Sequence, residues 1–572
     1  MADAAAAPGA VAARNRAAAR MSVLTVVSRL TGFARVVVVA AVLGTSYLGN
    51  VYQSANSVPN ILFELFAAGV LQSVLVPVMV EAVDHRGPDG TERTAGIVLG
   101  AVGAVLAAVV AAGMVAAPLI MRLLVSGVDD PSVRAAQVEL GTFLLWFFLP
   151  QIVFYAANLV ATATLNAKGI FGIPVFAPTV NNVVVIASYL LFGWMRHGAA
   201  PSLVLTTPEK LVLALGTTLG VVAFCAVPVI GLARTGTRLR PHWAPRDPVL
   251  RRLARQGLWA AGFLAATQVL LVVVLYLSNA VEGGVVIYQL AFVLFMLPNS
   301  LFAVPVLTTA FPALTRHSRA GDWSSFADEV GRATRSIVWF TTVSAGALIA
   351  LSGPLSHLVA YGNAAGRYSE LSVAIAGFAI GLPAFSLVLF LVRVAYSYGD
   401  TRSPALVALG MVVLGGPAML ALAQLGSRSD RVALIGAGYA VAQCVGLVGL
   451  AWVVRGTLHR EGARVHHLAV PVCRSAGTAV LASAVVGVAV ARLAPTSRVG
   501  SLVAVAVGGA VIVALAVALG WLAGGPGPRA LVSTLGAHPG RRAAGTVADR
   551  QELEDRAEAE RLVEEIEREA GQ

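Results

Sequence analysis

The chain has 572 residues, of which 57% are hydrophobic and only 12% charged, about half the charged fraction of roughly 25% found in a soluble domain. Charge is absent in long blocks rather than thinly spread, the pattern of successive membrane spans, which excludes an ordinary soluble globular protein. A net charge of +12 would point to nucleic acid in a soluble chain; here the cations sit in alternate loops, so topology explains them and no nucleic-acid partner is expected.

Residues 1–20 are Ala-rich, carry Arg14, Arg16 and Arg20, and read as a cytoplasmic N-terminal segment. The apolar stretch after them contains arginines and has no clear cleavage site, which fits a retained helix better than a signal peptide. Stretches able to cross about 30 Å of hydrocarbon follow near 21–46, 57–82, 94–121, 138–165, 172–195 and 210–233, with an uncharged loop at 46–56. A basic loop at 234–253 leads to a second group near 254–280, 284–314, 334–360, 370–398, 404–425 and 431–455. A last pair lies near 469–493 and 499–524, before a Gly/Pro/Arg-rich linker and a charged tail helix within 525–572. The prediction is an all-α polytopic membrane protein of about fourteen helices, with lobes at 21–233 and 254–455 and a helix pair at 469–524.

The arginines test this count. Arg234, Arg238, Arg240, Arg246, Arg251, Arg252 and Arg255, then Arg316, Arg319 and Arg332, then Arg455, Arg460 and Arg464 all fall on one side of such a bundle. The positive-inside rule places both termini in the cytoplasm. Cys225, Cys444 and Cys473 lie in or beside apolar stretches without metal spacing and read as buried packing residues.

An internal repeat is visible. Val58-Pro59-Asn60-Ile61-Leu62-Phe63 reappears as Leu297-Pro298-Asn299-Ser300-Leu301-Phe302, and Leu149-Pro150 as Leu382-Pro383. Further prolines, Pro77 and Pro312, follow the first pair. Two like halves of six spans each would be parallel repeats with a substrate site between them. The paired prolines Pro59, Pro77, Pro298 and Pro312 are candidate hinges for alternating access.

The first span contains Ser28-Arg29-Leu30-Thr31-Gly32-Phe33-Ala34-Arg35. An arginine in mid-helix costs about 2.5–3.5 kcal/mol on insertion scales, so two in one span demand a polar neighbourhood. Six residues apart, they point about 120° from one another, unless Gly32 lets the helix bend or a neighbour approach closely. Guanidinium suits bidentate phosphate recognition. Glu64 lies in the second span, where pairing with Arg29 or Arg35 is the simplest remedy for its charge, and coupling to a proton or cation the alternative.

At these residues the chain resembles the MurJ/MviN family of lipid II flippases, within the wider superfamily of multidrug and polysaccharide exporters. The likeness runs from about residue 21 to 525. It is carried by the motif at 28–35, by Pro59, Asn60, Leu62, Phe63 and Pro77, by Leu165-Asn166-Ala167 with Phe171, Pro174 and Pro178, and by Gly399-Asp400-Thr401-Arg402-Ser403-Pro404. The resemblance implies fourteen helices in two lobes, with the extra pair forming a groove for a polyprenyl tail. It implies that Arg29 and Arg35 bind the pyrophosphate of the lipid-linked precursor in a central cavity, with Ser28, Gly32, Asn50, Asn60 and Glu64 as further candidate substrate contacts. The function implied is movement of an undecaprenyl-pyrophosphate-linked peptidoglycan precursor from the inner to the outer leaflet, without catalytic residues, cofactor or metal. No ATP-binding Gly-rich loop is apparent, so membrane potential or an ion gradient is the expected drive. Implied partners are the precursor and membrane lipid; the charged tail helix reads first as a solvated cytoplasmic segment, with docking of cell-wall synthesis or division proteins the alternative.

The sequence departs from the family pattern in having Asn50 where an acid is usual, Glu64 where an arginine is usual, Ala68 where a glutamate is common, and Val293 where many members carry arginine. The cavity therefore has fewer fixed cations. Rival readings are a flippase for another lipid-linked oligosaccharide, a cation-coupled multidrug exporter, a glycosyltransferase acting on the same carrier, and a non-transporting scaffold. The exporter would want acids in its cavity, and the transferase would want catalytic residues in larger outward loops.

Overall fold

The computed structural model describes residues 8–65, 69–463, 469–493 and 497–522; the charged tail, Ala68 and Arg464 lie outside them. The described residues form α-helices joined by short connections and no strand. In the first half these are α1 (Pro8–Leu43), α2 (Tyr47–Phe63), α3 (Gly69–His85), α4 (Gly87–Leu124), α5 (Pro131–Phe148), α6 (Gln151–Ala167), α7 (Gly172–Met195) and α8 (Thr207–Ala233). The second comprises α9 (Pro248–Asn279), α10 (Gly284–Pro298), α11 (Val304–Ala320), α12 (Trp323–Ala350), α13 (Ser352–Val359), α14 (Tyr368–Ala379), α15 (Leu382–Ser397), α16 (Arg402–Gly410), α17 (Gly416–Leu425) and α18 (Arg431–Arg460). The chain continues into α19 (Ala469–Leu493) and α20 (Arg498–Leu522).

Among the described residues twelve helical stretches are long and apolar enough to cross a bilayer, and the pair α14 and α15, bent by 42°, makes a thirteenth. The remaining expected span, near 57–82, falls on α2 and α3, which flank residues 66–68. Large apolar side chains such as Val115, Val448 and Trp452 stand exposed on these helices, as lipid-facing surfaces require. Cys444 is likewise exposed on α18, so the expectation of buried packing holds for Cys225 but not for it.

Three boundaries differ from the sequence reading. Helix α1 starts at Pro8, well inside the segment assigned to an N-terminal extension. Residues 46–56 are not a loop: Ser46 caps α2 by accepting a hydrogen bond from the Gly49 N–H, and the helix begins at Tyr47. The basic loop ends at 247 because Asp247 accepts from the Val249 N–H while Pro248 occupies the first helical turn, a strong start signal.

The repeated motifs break their helices in matching ways. Beyond Pro59-Asn60 the helix widens to a π-turn at Glu64, and beyond Pro298 a π-helical segment runs Asn299–Ala303. Such widenings concentrate at functional positions. Pro77 and Pro312 instead sit inside uninterrupted α3 and α11. Both Leu-Pro pairs stand at helix breaks: Leu149-Pro150 lies between α5 and α6, and Leu382-Pro383 opens α15 just after the break from α14.

The connection between the halves is strapped to α4. The Arg238 N–H donates to Glu92 Oε1 at 2.6 Å and the His242 N–H to the Gly96 carbonyl at 2.9 Å. A Cβ at Gly96 or Gly100 would collide with the Arg240 or His242 carbonyl, so these glycines form the groove that receives the strap. Lys168 holds its start through Thr235, at 3.2 Å, and Thr237. Gly100→Val should therefore lower the melting temperature of the purified protein, at a cost of about 1–3 kcal/mol. Gly103→Ala on the same helix faces open space and should leave the melting temperature unchanged or slightly raised; equal effects of the two would contradict the groove.

Candidate functional site

Arg35 is the half-buried arginine of α1. Its guanidinium interacts with the Tyr189 hydroxyl of α7, and Tyr52 of α2 and Tyr155 of α6 stand within electrostatic reach. Tyr52 and Tyr189 are 0% and 1% exposed. Their hydroxyls are 2.9 Å apart, and that of Tyr52 also bonds to Thr217 on α8. Four helices thus converge on one cation. Tyr189 bonds to the guanidinium directly, and Tyr52 supports Tyr189 through its own hydroxyl. Each ring packs its apolar body among the helices, and this is how a charge can be held at such depth.

Arg29 lies in a different setting. It is exposed, and α1 runs unbroken between it and Arg35, so the two guanidiniums stay on different faces as their spacing dictates. Ser28 and Gly32 are half-buried toward α7, where Asn182 donates to Thr31 at 3.2 Å. A Cβ at Gly32 would meet only Asn182 Nδ2 at 3.5 Å, an ordinary contact. Gly32 is therefore neither a bend nor a site of forced close approach in this conformation.

Glu64 forms no ion pair with Arg29 or Arg35; it is half-buried where α2 widens, without a salt-bridge partner among the described residues. The expected pairing is absent because Arg35 turns toward Tyr189. Asn60 is exposed, accepting from the Tyr155 hydroxyl at 3.2 Å and donating to the Asn56 carbonyl at 3.2 Å. Its counterpart Asn299 accepts from Ser386 on α15 at 2.9 Å. In each half the motif asparagine bonds to the helix that follows the Leu-Pro break.

Asn50 belongs to the junction of the halves rather than to a substrate surface. It is 0% exposed, donates to the Val281 carbonyl at 2.7 Å and accepts from the Val285 N–H at 3.0 Å. Both atoms of the amide are committed to the turn joining α9 to α10. Beside it Asn279 donates to Ser54 at 2.8 Å. Gly283, at φ +71°, lies so close to the Thr45 backbone that no side chain fits there. Arg367 pairs with Glu282 at 2.9 Å, and Asn363 donates to the Val42 carbonyl at 2.9 Å. This seal lies at the end of the bundle opposite the basic loops.

A groove of about 970 Å³ lies between α12, α13 and α19, walled by Gly346, Ile349, Val480, Ala484, Gly487 and Val488. The sequence reading missed the tyrosines and Thr217. Their one signal is that a phenolic hydroxyl inside an apolar span needs a polar partner.

A family model described as "Lipid II flippase MurJ" matches residues 39–508, beginning just beyond Arg35. The probable lipid II flippase MurJ of Rhizobium tropici is 29% identical over 386 residues, covering 66% of this chain and 70% of that protein. That of Haemophilus influenzae is 27% identical over 406 residues, covering 68% and 77%. A solved lipid II flippase MurJ in an inward closed conformation superposes with a TM-score of 0.67 at 18% identity, covering 88% of this chain and 98% of that one. An inward-facing MATE-family multidrug transporter of the MOP superfamily gives 0.61 at 15% identity, covering 76% and 96%. The structural likenesses establish the shared fold.

Asn50→Asp would set a carboxylate oxygen against the Val281 carbonyl, leaving a buried group unsatisfied at a cost of about 1–3 kcal/mol. The seal should loosen. A cysteine introduced at Thr45, now buried, should react faster with a water-soluble maleimide in the Asn50→Asp background than alone. Equal rates would show that Asn50 does not hold the junction.

Proposed function

The chain belongs to the MurJ lipid II flippase family, and from that membership we propose that it moves the undecaprenyl-pyrophosphate-linked peptidoglycan precursor, lipid II, from the inner to the outer leaflet. The work is transport, without bond-making chemistry. The observation that carries the site assignment is the burial of the Arg35 guanidinium among tyrosines contributed by three helices. A cation kept at that depth is ready to meet an anionic headgroup, and guanidinium matches phosphate oxygens two at a time.

Arg35 binds the pyrophosphate, and Arg29, exposed on the same helix, meets it on the way in or joins Arg35 once the halves move. Ser28 and Asn60 supply neutral hydrogen bonds along the path. The polyprenyl tail stays in an apolar environment, and the groove between α12, α13 and α19 suits it. The arginine distribution puts both termini in the cytoplasm, so the Asn50 seal faces outward. Breaking that seal while the opposite end closes gives alternating access, with the π-turns after Pro59 and Pro298 as bending points. Membrane potential or an ion gradient drives the cycle, and Glu64, with no ion-pair partner among the described residues, is the group through which a proton or cation couples. The charged C-terminal tail docks cell-wall synthesis or division proteins.

Reconstitution into liposomes with fluorescent lipid II tests this reading. Arg35→Ala should lower the transport rate by about tenfold to a hundredfold, the worth of one charge-assisted contact, and Arg29→Ala should lower it in the same direction. Unchanged rates at normal expression would remove the arginine mechanism.

A further inference from the structure

The strap on α4 ends in three exposed side chains, Arg240, Trp243 and Arg246. Neither arginine forms an ion pair among the described residues, and Trp243 is 67% exposed. The strap itself is held by backbone groups. The Arg238 N–H meets Glu92, the His242 N–H and Arg240 carbonyl lie against Gly96, and the His242 carbonyl lies against Gly100. Contact advances one turn of α4, about 6 Å, for each pair of strap residues, which span about 6.6 Å when extended. The strap is thus an extended segment climbing α4. Pro241, Pro245 and Pro248 fix φ along it, so its side chains are presented at little further cost in conformational entropy.

Helix α4 sets the depth of this cluster. Residues 94–98 are buried, whereas Ala104, Ala108, Ala111 and Val115, on the same helix face as Gly96 and Gly100, are exposed. The strap therefore covers the very face of α4 that meets lipid one turn further on. From Gly100 to Arg122, exposed in the last turn of α4, the helix rises about 33 Å, against about 30 Å of hydrocarbon. Gly100, and with it Trp243, stands at the edge of the hydrocarbon, the layer in which tryptophan is enriched. Unpaired guanidiniums at that level meet lipid phosphates, which they suit. A soluble acidic partner would not reach this depth, and a free phosphate would leave the indole unused.

We infer that Arg240, Trp243 and Arg246 form a binding site for an anionic phospholipid of the leaflet on the side of the basic loops, the arginines taking its phosphate and the indole its glycerol and upper acyl region. This lipid is a resident of the surrounding bilayer, bound on the lipid-facing side of α4, and the assignment holds whatever the cargo. It ties the connection between the halves to the membrane surface as well as to α4.

Native mass spectrometry of the full-length protein in detergent, titrated with phosphatidylglycerol or phosphatidylcholine, tests the site. Arg240→Gln and Arg246→Gln should each weaken phosphatidylglycerol binding by about fivefold and leave phosphatidylcholine unchanged. The control pair Arg234→Gln and Arg251→Gln removes exposed arginines outside the cluster and should leave both lipids unchanged. Equal losses in the two pairs would mean diffuse attraction to basic loops and overturn the site, as would displacement of the lipid by inorganic phosphate. Trp243→Phe isolates the Trp243 emission by difference in vesicles of phosphatidylcholine and phosphatidylglycerol. Lipids brominated high on the acyl chain should quench that emission and aqueous iodide should not; the reverse result overturns the placement. The substituted side chains are exposed and the strap is held by its backbone, so the melting temperature without added lipid should match the parent.

Discussion

A guanidinium inside the hydrocarbon layer must be solvated by the protein itself, since neither lipid nor bulk water is at hand. The contacts of Arg35 with Tyr189, and through it with Tyr52 and Thr217, meet that demand and fix where α1, α2, α7 and α8 stand relative to one another. Hydrophobic burial gives little preference between helix faces in a bilayer, because lipid tails are as apolar as the side chains. Polar contacts of this kind therefore set the register of the bundle more than apolar ones do. They also hold a fixed positive charge inside the first half.

The junction between the halves follows the same economy with neutral groups. Asn50, Ser54 and Asn279 link the halves at one end through amide and hydroxyl hydrogen bonds, with one ion pair, Arg367–Glu282, at the rim. Neutral hydrogen bonds are individually worth about 0.5–1.5 kcal/mol net, which holds a conformation closed without trapping it. An asparagine both donates and accepts, so it can bridge a carbonyl and an N–H of the same turn, as a carboxylate cannot.

Most of the bundle was legible in the sequence because charge is excluded from spans and gathers in alternate loops. The repeat was legible because Pro-Asn and Leu-Pro recur at similar offsets, and both mark helix irregularities in the structure. Residues 46–56 were misread for a physical reason: Asn50, Gln53, Ser54 and Asn56 look like a polar loop, yet their polarity serves contacts across the junction. The tyrosines around Arg35 were illegible because an isolated tyrosine in an apolar span resembles packing. Partners for Glu64 and Arg29 could not be assigned from spacing alone, since which face of a helix meets which neighbour is decided by the whole assembly.

The strap on α4 has a mechanical consequence. Because residues 235–242 are anchored through Lys168, Glu92 and Gly96, the free part of the tether shrinks to the few residues before Pro248. A long tether would let α9 wander. A short one acts as a fulcrum, converting sliding between the halves into rotation about a fixed point and keeping the stroke reproducible from one cycle to the next.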